Sequence, residues 1–196
     1  MHSELFTSGS TKTKRVTMKR FIQFASIFAG CILSLAPVRA AEEKQAVAVL
    51  QPTAGSKCHG VVKFIQEGDS VKVVADVEGL TPGQKHAIHI HNFGDVTSTD
   101  GMSTGGHYNP EGHQHGLPDK DMRHAGDLGN LEADSSGKVH YELTVKNISI
   151  SGAKNPILGR GVVVHAKVDD GGQPVGNAGA RIANGVIGVA NTAIVK

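Results

Sequence analysis

Tryptophan is absent, and the chain has only two tyrosines and six phenylalanines in 196 residues. Proteins that grip nucleic acid combine basic patches with stacking rings, and this chain is poor in rings. The basic patch is missing too. The first 40 residues hold six of the 20 Lys and Arg but one of the 18 Asp and Glu, so residues 41–196 carry 14 bases against 17 acids, about −3. A nucleic-acid partner is excluded on both grounds. Cysteine is nearly absent, with Cys31 and Cys58 the whole supply. Long apolar runs are lacking as well. The longest, Phe21 to Leu35, spans about fifteen residues, contains Gln23, Ser26 and Ser34, and is followed by Pro37. A membrane-spanning helix needs roughly 20 apolar residues, so a membrane anchor is the weaker reading of this run.

The run fits an export signal better. Lys12, Lys14, Arg15, Lys19 and Arg20 precede it and "APVRA" follows it, in the order of charge, short apolar core and small residues that marks a secretory leader. The expectation is a signal peptide over 1–40, cleaved after Ala40, with the coding start at Met1 or Met18. The mature chain, 41–196, would then be periplasmic or extracellular. A lipoprotein reading of "FAGC", with Cys31 lipidated, is the alternative, although Phe28 is an unusual first residue for that motif.

No stretch after Ala41 shows a helical period with caps. Short Val- and Ile-rich runs are there instead: "AVAVL" (46–50), "GVVKFIQ" (60–66), "SVKVVADV" (70–77), "VHYELTV" (139–145), "GVVVHAKV" (161–168) and "GVIGVA" (185–190). Several alternate apolar with polar, and Gly, Asp, Asn or Pro separates them. With His86–His91 and a short strand near Asp127–Leu131 they make about eight strands. The expected fold is all-β, an antiparallel sandwich or barrel of one domain. Two long loops, 92–125 and 169–180, interrupt the regular spacing, and loops of that length in a compact domain are usually functional.

Seven of the eleven histidines fall between His86 and His124. On a strand, His89 and His91 share a face, as two ligands of one metal require, whereas His86 falls at the opposite parity. His107, His115, His124 and Asp127 are separated by eight, nine and three positions, and three imidazoles with one carboxylate suit tetrahedral zinc. His89, His91 and the isolated His165 would offer nitrogens to a metal that favours imidazole in a tetragonal arrangement, copper.

The stretches "HAIHIHNFGD", "GGHYNP", "RHAGDLGN", "LGRGVVVHAKVDD" and "GNAGARIANGVIGVA" resemble the copper/zinc superoxide dismutases from Ala46 to about Ala190. The resemblance implies an eight-stranded Greek-key barrel and dismutation of superoxide. It implies copper on His89, His91, His107 and His165, and zinc on His107, His115, His124 and Asp127, with His107 shared. Asp169 matches a carboxylate linking a copper-side to a zinc-side histidine, His86 a structural hydrogen-bonder, and Arg181 the arginine that guides the anion. His113, beside His115, is left unassigned.

Two departures stand out. The disulfide usual in the family would join Gly101 or Met102 to Asn184, and none of these is cysteine. With the leader removed Cys58 stands alone, so the segment 92–124 is expected to rely on zinc, through His115 and His124, and on packing around "GGHYNP". Cys58 itself reads as a small, half-buried residue in preference to a reactive or intermolecular thiol. The second departure is the loop after Asp170, reduced to the uncharged "GGQPV", which leaves steering to Arg181 with Lys167 as the nearest helper. A homodimer is open on this reading, as is an alternative function, an exported copper/zinc-binding or buffering protein without turnover.

Overall fold

The computed structural model describes residues 43–194. The leader over 1–40, Met18 and Cys31 lie outside the described residues. Nine strands form among the described residues: β1 (Gln45–Pro52), β2 (His59–Glu67), β3 (Ser70–Glu78), β4 (Lys85–His91), β5 (Asp127–Glu132), β6 (Val139–Val145), β7 (Gly161–His165), β8 (Arg181–Val186) and the short β9 (Gly188–Val189). Every pairing is antiparallel. The described residues contain no α-helix, only two single-turn 3-10 segments, Met102–Thr104 and Thr192–Ile194.

The strand order is β5-β4-β7-β8-β1-β2-β3-β6, with β9 beside β1. Strands β1 to β3 form a meander extended by β6, while the chain crosses the barrel between β3 and β4 and again between β6 and β7, which gives the Greek-key order. The sheet ends β5 and β6 come together where the Tyr141 hydroxyl donates to the Leu128 carbonyl at 2.7 Å. The result is a nearly closed barrel, and closure removes most of the unpaired edge that an open sheet would expose.

Period-two patterning sets which side chains fill it. Ala46, Ala48 and Leu50 of β1, Val62 and Phe64 of β2, and Val71, Val73, Ala75 and Val77 of β3 are buried in the core, and their neighbours alternate outward. Strands β4 and β7 break this rule, because after Lys85 every residue of β4, and every residue of β7, is buried. Ile88, Ile90, Val162 and Val164 join the core. The loops expected to be functional cover the other face, where His89 and His91 lie.

Two strands differ from the sequence expectation. Hydrophobicity places the last strand at 185–190, yet pairing starts at Arg181, which sits opposite His165, and Ile187 interrupts it before β9. The run 161–168 ends as a strand at His165, where a register shift after Val164 and the hydrogen bonds Ala166 N–H to Ala180 and Lys167 N–H to Ala178 turn the chain into the second loop.

Candidate metal centre

The first loop is fixed before any side chain is considered. It doubles back on β4 through a bridge between His91 and His107, flanked by Asn92 N–H to Gly106 at 2.9 Å and Tyr108 N–H to Ile90 at 2.8 Å. His107 is thereby set beside the strand that carries His89 and His91. Arg160, just ahead of β7, donates to the Asn92 carbonyl at 2.9 Å and stacks its guanidinium 3.5 Å from the centre of the Tyr108 ring.

The result includes two buried four-residue groups of converging donor atoms, His89, His91, His107 and His165 in one and His107, His115, His124 and Asp127 in the other. These are the residues the sequence singled out, and His107 belongs to both. In each group the donor atoms lie within 4.8 Å of one another.

The tautomers follow from what each ring touches. A carbonyl or carboxylate oxygen only accepts, so the ring nitrogen facing it must carry the hydrogen. His91 Nδ1 faces the Gly105 carbonyl at 2.8 Å, His165 Nδ1 the Gly179 carbonyl at 3.3 Å, and His89 Nε2 the Asp169 carboxylate at 2.8 Å. The lone pairs are therefore on His91 Nε2, His165 Nε2 and His89 Nδ1. The first two point at each other across 3.4 Å, and His89 Nδ1 is buried with no partner. Lone pairs gathered in a dry site repel unless a cation stands among them, so the donor set fits a bound metal.

In the second group the nitrogens face carboxylates. His115 gives its Nε2 hydrogen to Asp169 at 2.8 Å and sets Nδ1 3.0 Å from Asp127 Oδ2, so a metal binding there would take the place of a proton. His107 Nδ1 lies 2.9 Å and His124 Nδ1 3.3 Å from the other oxygen of Asp127. Three imidazole nitrogens and one carboxylate are the donors a closed zinc site uses.

Titration behaviour agrees with this reading. Burial, followed by the neighbouring imidazoles and opposed by hydrogen bonding, pushes His89 down to about 4, His165 to about 3 and His91 to about 2, so all three are neutral and ready to ligate at neutral pH. Burial also lowers His124. His115 goes the other way: burial opposes its charge, but hydrogen bonds and attraction from Asp127 and Asp169 raise it to about 9 when no metal competes for the ring. Asp127 and Asp169 are held well below the usual carboxylate range, because donors from His107, His115 and Gly116 on the first, and from His115, His89 and Gly171 on the second, outweigh burial.

Asp169 is the hinge between the two groups, one oxygen holding His89 and the other His115. Its main chain is locked by the Asn130 amide, at 2.7 Å and 2.9 Å. Gly176 fits against it with φ +74°, where a Cβ would overlap the Asp169 carboxylate and come 2.7 Å from His115 Nε2. His86 lies outside both groups. It donates from Nδ1 to the His165 carbonyl at 2.9 Å and accepts at Nε2 from Thr81 N–H at 3.2 Å, so it holds the backbone of a candidate ligand. His113 also stays outside, half-buried and 3.2 Å from the Arg123 carbonyl.

Arg181, at the start of β8, lines a cleft of about 570 Å³ with His91, His107, His165 and Lys167. Its Nη1 donates to the Gly101 carbonyl at 2.6 Å and Thr104 Oγ1 at 2.9 Å, and its Nη2 to the Gly105 carbonyl at 2.7 Å. Three of five N–H groups are thus spent on the loop, and two remain to meet an anion. Where the family disulfide would be, a Cβ on Gly101 would lie 3.0 Å from Asn184 Nδ2. Cys58 is fully buried in the core, away from any second thiol among the described residues, and burial pushes its thiol up to about 12.

Asn130, Gly176, Gln173 and Arg123 were not legible as part of the centre. Asn130 and Gly176 act through Asp169, Gln173 touches the backbone of His115, and Arg123 donates to the Asp127 carbonyl at 3.2 Å. The contacts of Asn130 and Gln173 join segments whose pairing appears only in three dimensions, whereas Gly176 lies seven residues from Asp169 and Arg123 four from Asp127.

A family model for copper/zinc superoxide dismutase matches residues 58–187. A relative named superoxide dismutase [Cu-Zn], from Paramecium bursaria Chlorella virus 1, is 44% identical over 153 residues, covering 74% of this chain and 78% of the viral protein. A crystal structure of the clock protein EA4 superposes with a TM-score of 0.70 at 37% identity, covering 78% of this chain and 98% of that one. Barrel, donor sets and these likenesses agree: the chain belongs to the copper/zinc superoxide dismutase family.

Proposed function

We propose that the protein dismutes superoxide, 2 O₂⁻ + 2 H⁺ → O₂ + H₂O₂, with copper held by His89, His91, His107 and His165 and zinc by His107, His115, His124 and Asp127. The observation that carries this reading is the membership of His107 in both donor groups. Copper supplies a one-electron redox couple, and zinc supplies fixed charge that orders the loop. The protein's own part is positional. His107 directs Nδ1 to the Asp127 group, which leaves Nε2 as the atom that can hold and release a proton at the cleft. Asp169 fixes the orientation of His89 and His115, and His86 that of the strand end bearing His165. Arg181 presents its two uncommitted N–H groups to the incoming anion.

The alternative, an exported metal buffer, would need the same ligands but no anion-facing guanidinium, and the location of Arg181 in the cleft with three of the copper-side histidines favours turnover. The test is to measure copper and zinc per chain and superoxide loss in one sample. One of each metal with activity supports the enzyme. Full metal content without activity supports the buffer. His107→Ala is expected to remove most activity and leave the barrel folded. Wild-type turnover in that variant with both metals bound would refute the shared role of His107.

Export through the 1–40 leader to a periplasmic or extracellular location belongs to the same proposal, with lipidation at Cys31 as its alternative. Mass spectrometry of the mature N-terminus separates them. A homodimer is also proposed. Exposed Val49, Phe93, Val96, Val186 and Val189 support it, being large apolar side chains left in water. Analytical ultracentrifugation showing a monomer at micromolar concentration would remove it.

A further inference from the structure

The short second loop does more than leave the cleft uncharged. His115 lies in the run Gly112–Gly116, away from every strand, and its main-chain N–H and C=O need partners that no ladder supplies. Gln173 provides both. Its Oε1 accepts from His115 N–H at 3.2 Å and its Nε2 donates to the His115 carbonyl at 2.8 Å, a two-point hold across 58 positions.

The loop bearing Gln173 is itself tied. Asp170 N–H bonds to Gly176 at 3.1 Å and Gly176 N–H to Gly172 at 2.7 Å. The Asp170 carboxylate accepts from Gly172 N–H at 2.8 Å and from the Asn177 amide at 3.1 Å and 3.2 Å. Asp169, the first residue of this loop, grips the same histidine by its ring at 2.8 Å. One segment of the chain thus holds His115 at three points, two on the backbone and one on the imidazole. A ring hydrogen bond alone fixes an imidazole against rotation about one contact, whereas adding the backbone pair fixes where the ring starts from.

We infer that Gln173 is a positioning residue for the zinc group, registering the short loop 169–177 against the metal loop so that His115 Nδ1 faces Asp127 before metal arrives. The inference rests on the reading of His115 as a zinc ligand. The hold falls on the part of the metal loop around His115, which no strand pairing reaches.

The experiment uses the purified protein stripped of metal with a chelator, titrated with zinc against a chromophoric competitor and separately with cobalt(II) to read the visible band of the site. Gln173→Ala removes the hold, and Gln173→Met keeps the volume and length while removing both hydrogen bonds. Loss of a partner that orients a ligand weakens metal binding by about 10- to 100-fold, and because Gln173 is solvent-accessible the lower end, about tenfold, is expected for both variants. The cobalt band should change shape, and the melting temperature should fall more in the zinc-loaded protein than in the metal-free protein, where only the two hydrogen bonds of an exposed side chain are lost. Wild-type zinc affinity and cobalt band in Gln173→Met overturn the inference, as does a fall in metal-free melting temperature as large as that of the zinc-loaded form, which would make Gln173 a general prop. His115→Ala separates the two levels. If that variant binds zinc as tightly as wild type, the ligand reading fails. If it loses zinc while Gln173→Met does not, only the inference about Gln173 fails.

Discussion

Replacing Arg181 should separate two roles that one side chain performs. Its guanidinium makes three hydrogen bonds to the segment Gly101–Gly105 and still faces the cleft. A hydrogen bond contributes about 1 kcal/mol net, so Arg181→Ala is expected to destabilise the protein by about 3 kcal/mol. At roughly 2 to 4 °C per kcal/mol for a domain of this size, the melting temperature should fall by about 6 to 12 °C. Arg181→Lys keeps the positive charge but replaces a planar fork with a single ammonium. Re-forming one of the three bonds, it should lose about 2 kcal/mol and about 4 to 8 °C. Catalysis divides differently. A charged cleft raises anion on-rates by about 10- to 10³-fold, and salt screens the effect. Arg181→Ala should therefore lower kcat/KM and flatten its dependence on ionic strength, whereas Arg181→Lys should preserve the slope while losing stability. Superoxide decay measured by pulse radiolysis between low and physiological salt, with differential scanning calorimetry on the same samples, reads both. An unchanged salt slope in Arg181→Ala would refute the steering assignment and move it to Lys167, which lines the same cleft. Equal losses of stability and slope in both variants would refute the division of roles.

Asp169→Asn leaves one carboxamide oxygen where two carboxylate oxygens hold His89 and His115, so affinity should fall by about 10- to 100-fold at one or both metal groups, read by chelator competition. Unaltered affinity would mean the imidazoles are oriented by their packing alone. Cys58, buried and with its thiol pushed up to about 12, should resist iodoacetamide at pH 8 in the native protein and react at once in denaturant, and reductant should not shift the melting temperature; rapid native labelling would contradict its burial. For the metal-free protein, His89, His91 and His165 are depressed to about 4, 2 and 3, so the stability tied to their neutral forms is present above their unfolded value near 6.5 and is lost as pH falls through the folded values. His115 is raised to about 9, so its contribution is present below about 6.5 and is lost as pH rises through 9. Calorimetry of the metal-free form should show stability rising to a maximum near about pH 7 and declining towards about pH 9, a decline that metal removes, and a melting temperature independent of pH would remove the argument.

Local patterns carried the barrel, and local spacing carried the zinc set and His89, His91 and His165, while the place of His107 in both sets came from the family resemblance. Alternation in "SVKVVADV" and its companions needs only the pleat of a strand to become a core face, and β3 buries Val71, Val73, Ala75 and Val77 as that alternation requires. His89 and His91 follow from the same parity. Where the reading of strands went astray, tertiary pairing overrode hydrophobicity: polar Arg181 begins β8 because it lies opposite His165, and Ile187 stands outside the ladder between β8 and β9. Gln173 and Asn130 escaped because nothing about a glutamine or an asparagine in its own neighbourhood points to a partner 58 or 39 positions away. Their roles are relations between loops, and a single sequence holds no record of which loops meet.

The missing disulfide shows the limit of reasoning by substitution. With no cysteine at Gly101, Met102 or Asn184, the expected fasteners of the segment 92–124 are zinc and packing around "GGHYNP". The fold divides that segment in two. Its first part is held by protein alone: Ala54 N–H to Thr99 at 2.7 Å, Phe93 N–H to Thr104 at 3.0 Å, the bridge between His91 and His107, Arg160 on Asn92, and Arg181 on Gly101 and Gly105. Its second part, around His113 to His124, leans on Asp127, whose carboxylate accepts from Gly116 and His124 N–H, and on Gln173. A disulfide would have pinned the first part, and two arginines and a short β-bridge occupy that place. Zinc is then needed chiefly where the donors themselves lie. His107 stands at the junction of the two parts, held by backbone pairing on one side and by Asp127 on the other, so its position is specified by the polypeptide before either metal is present.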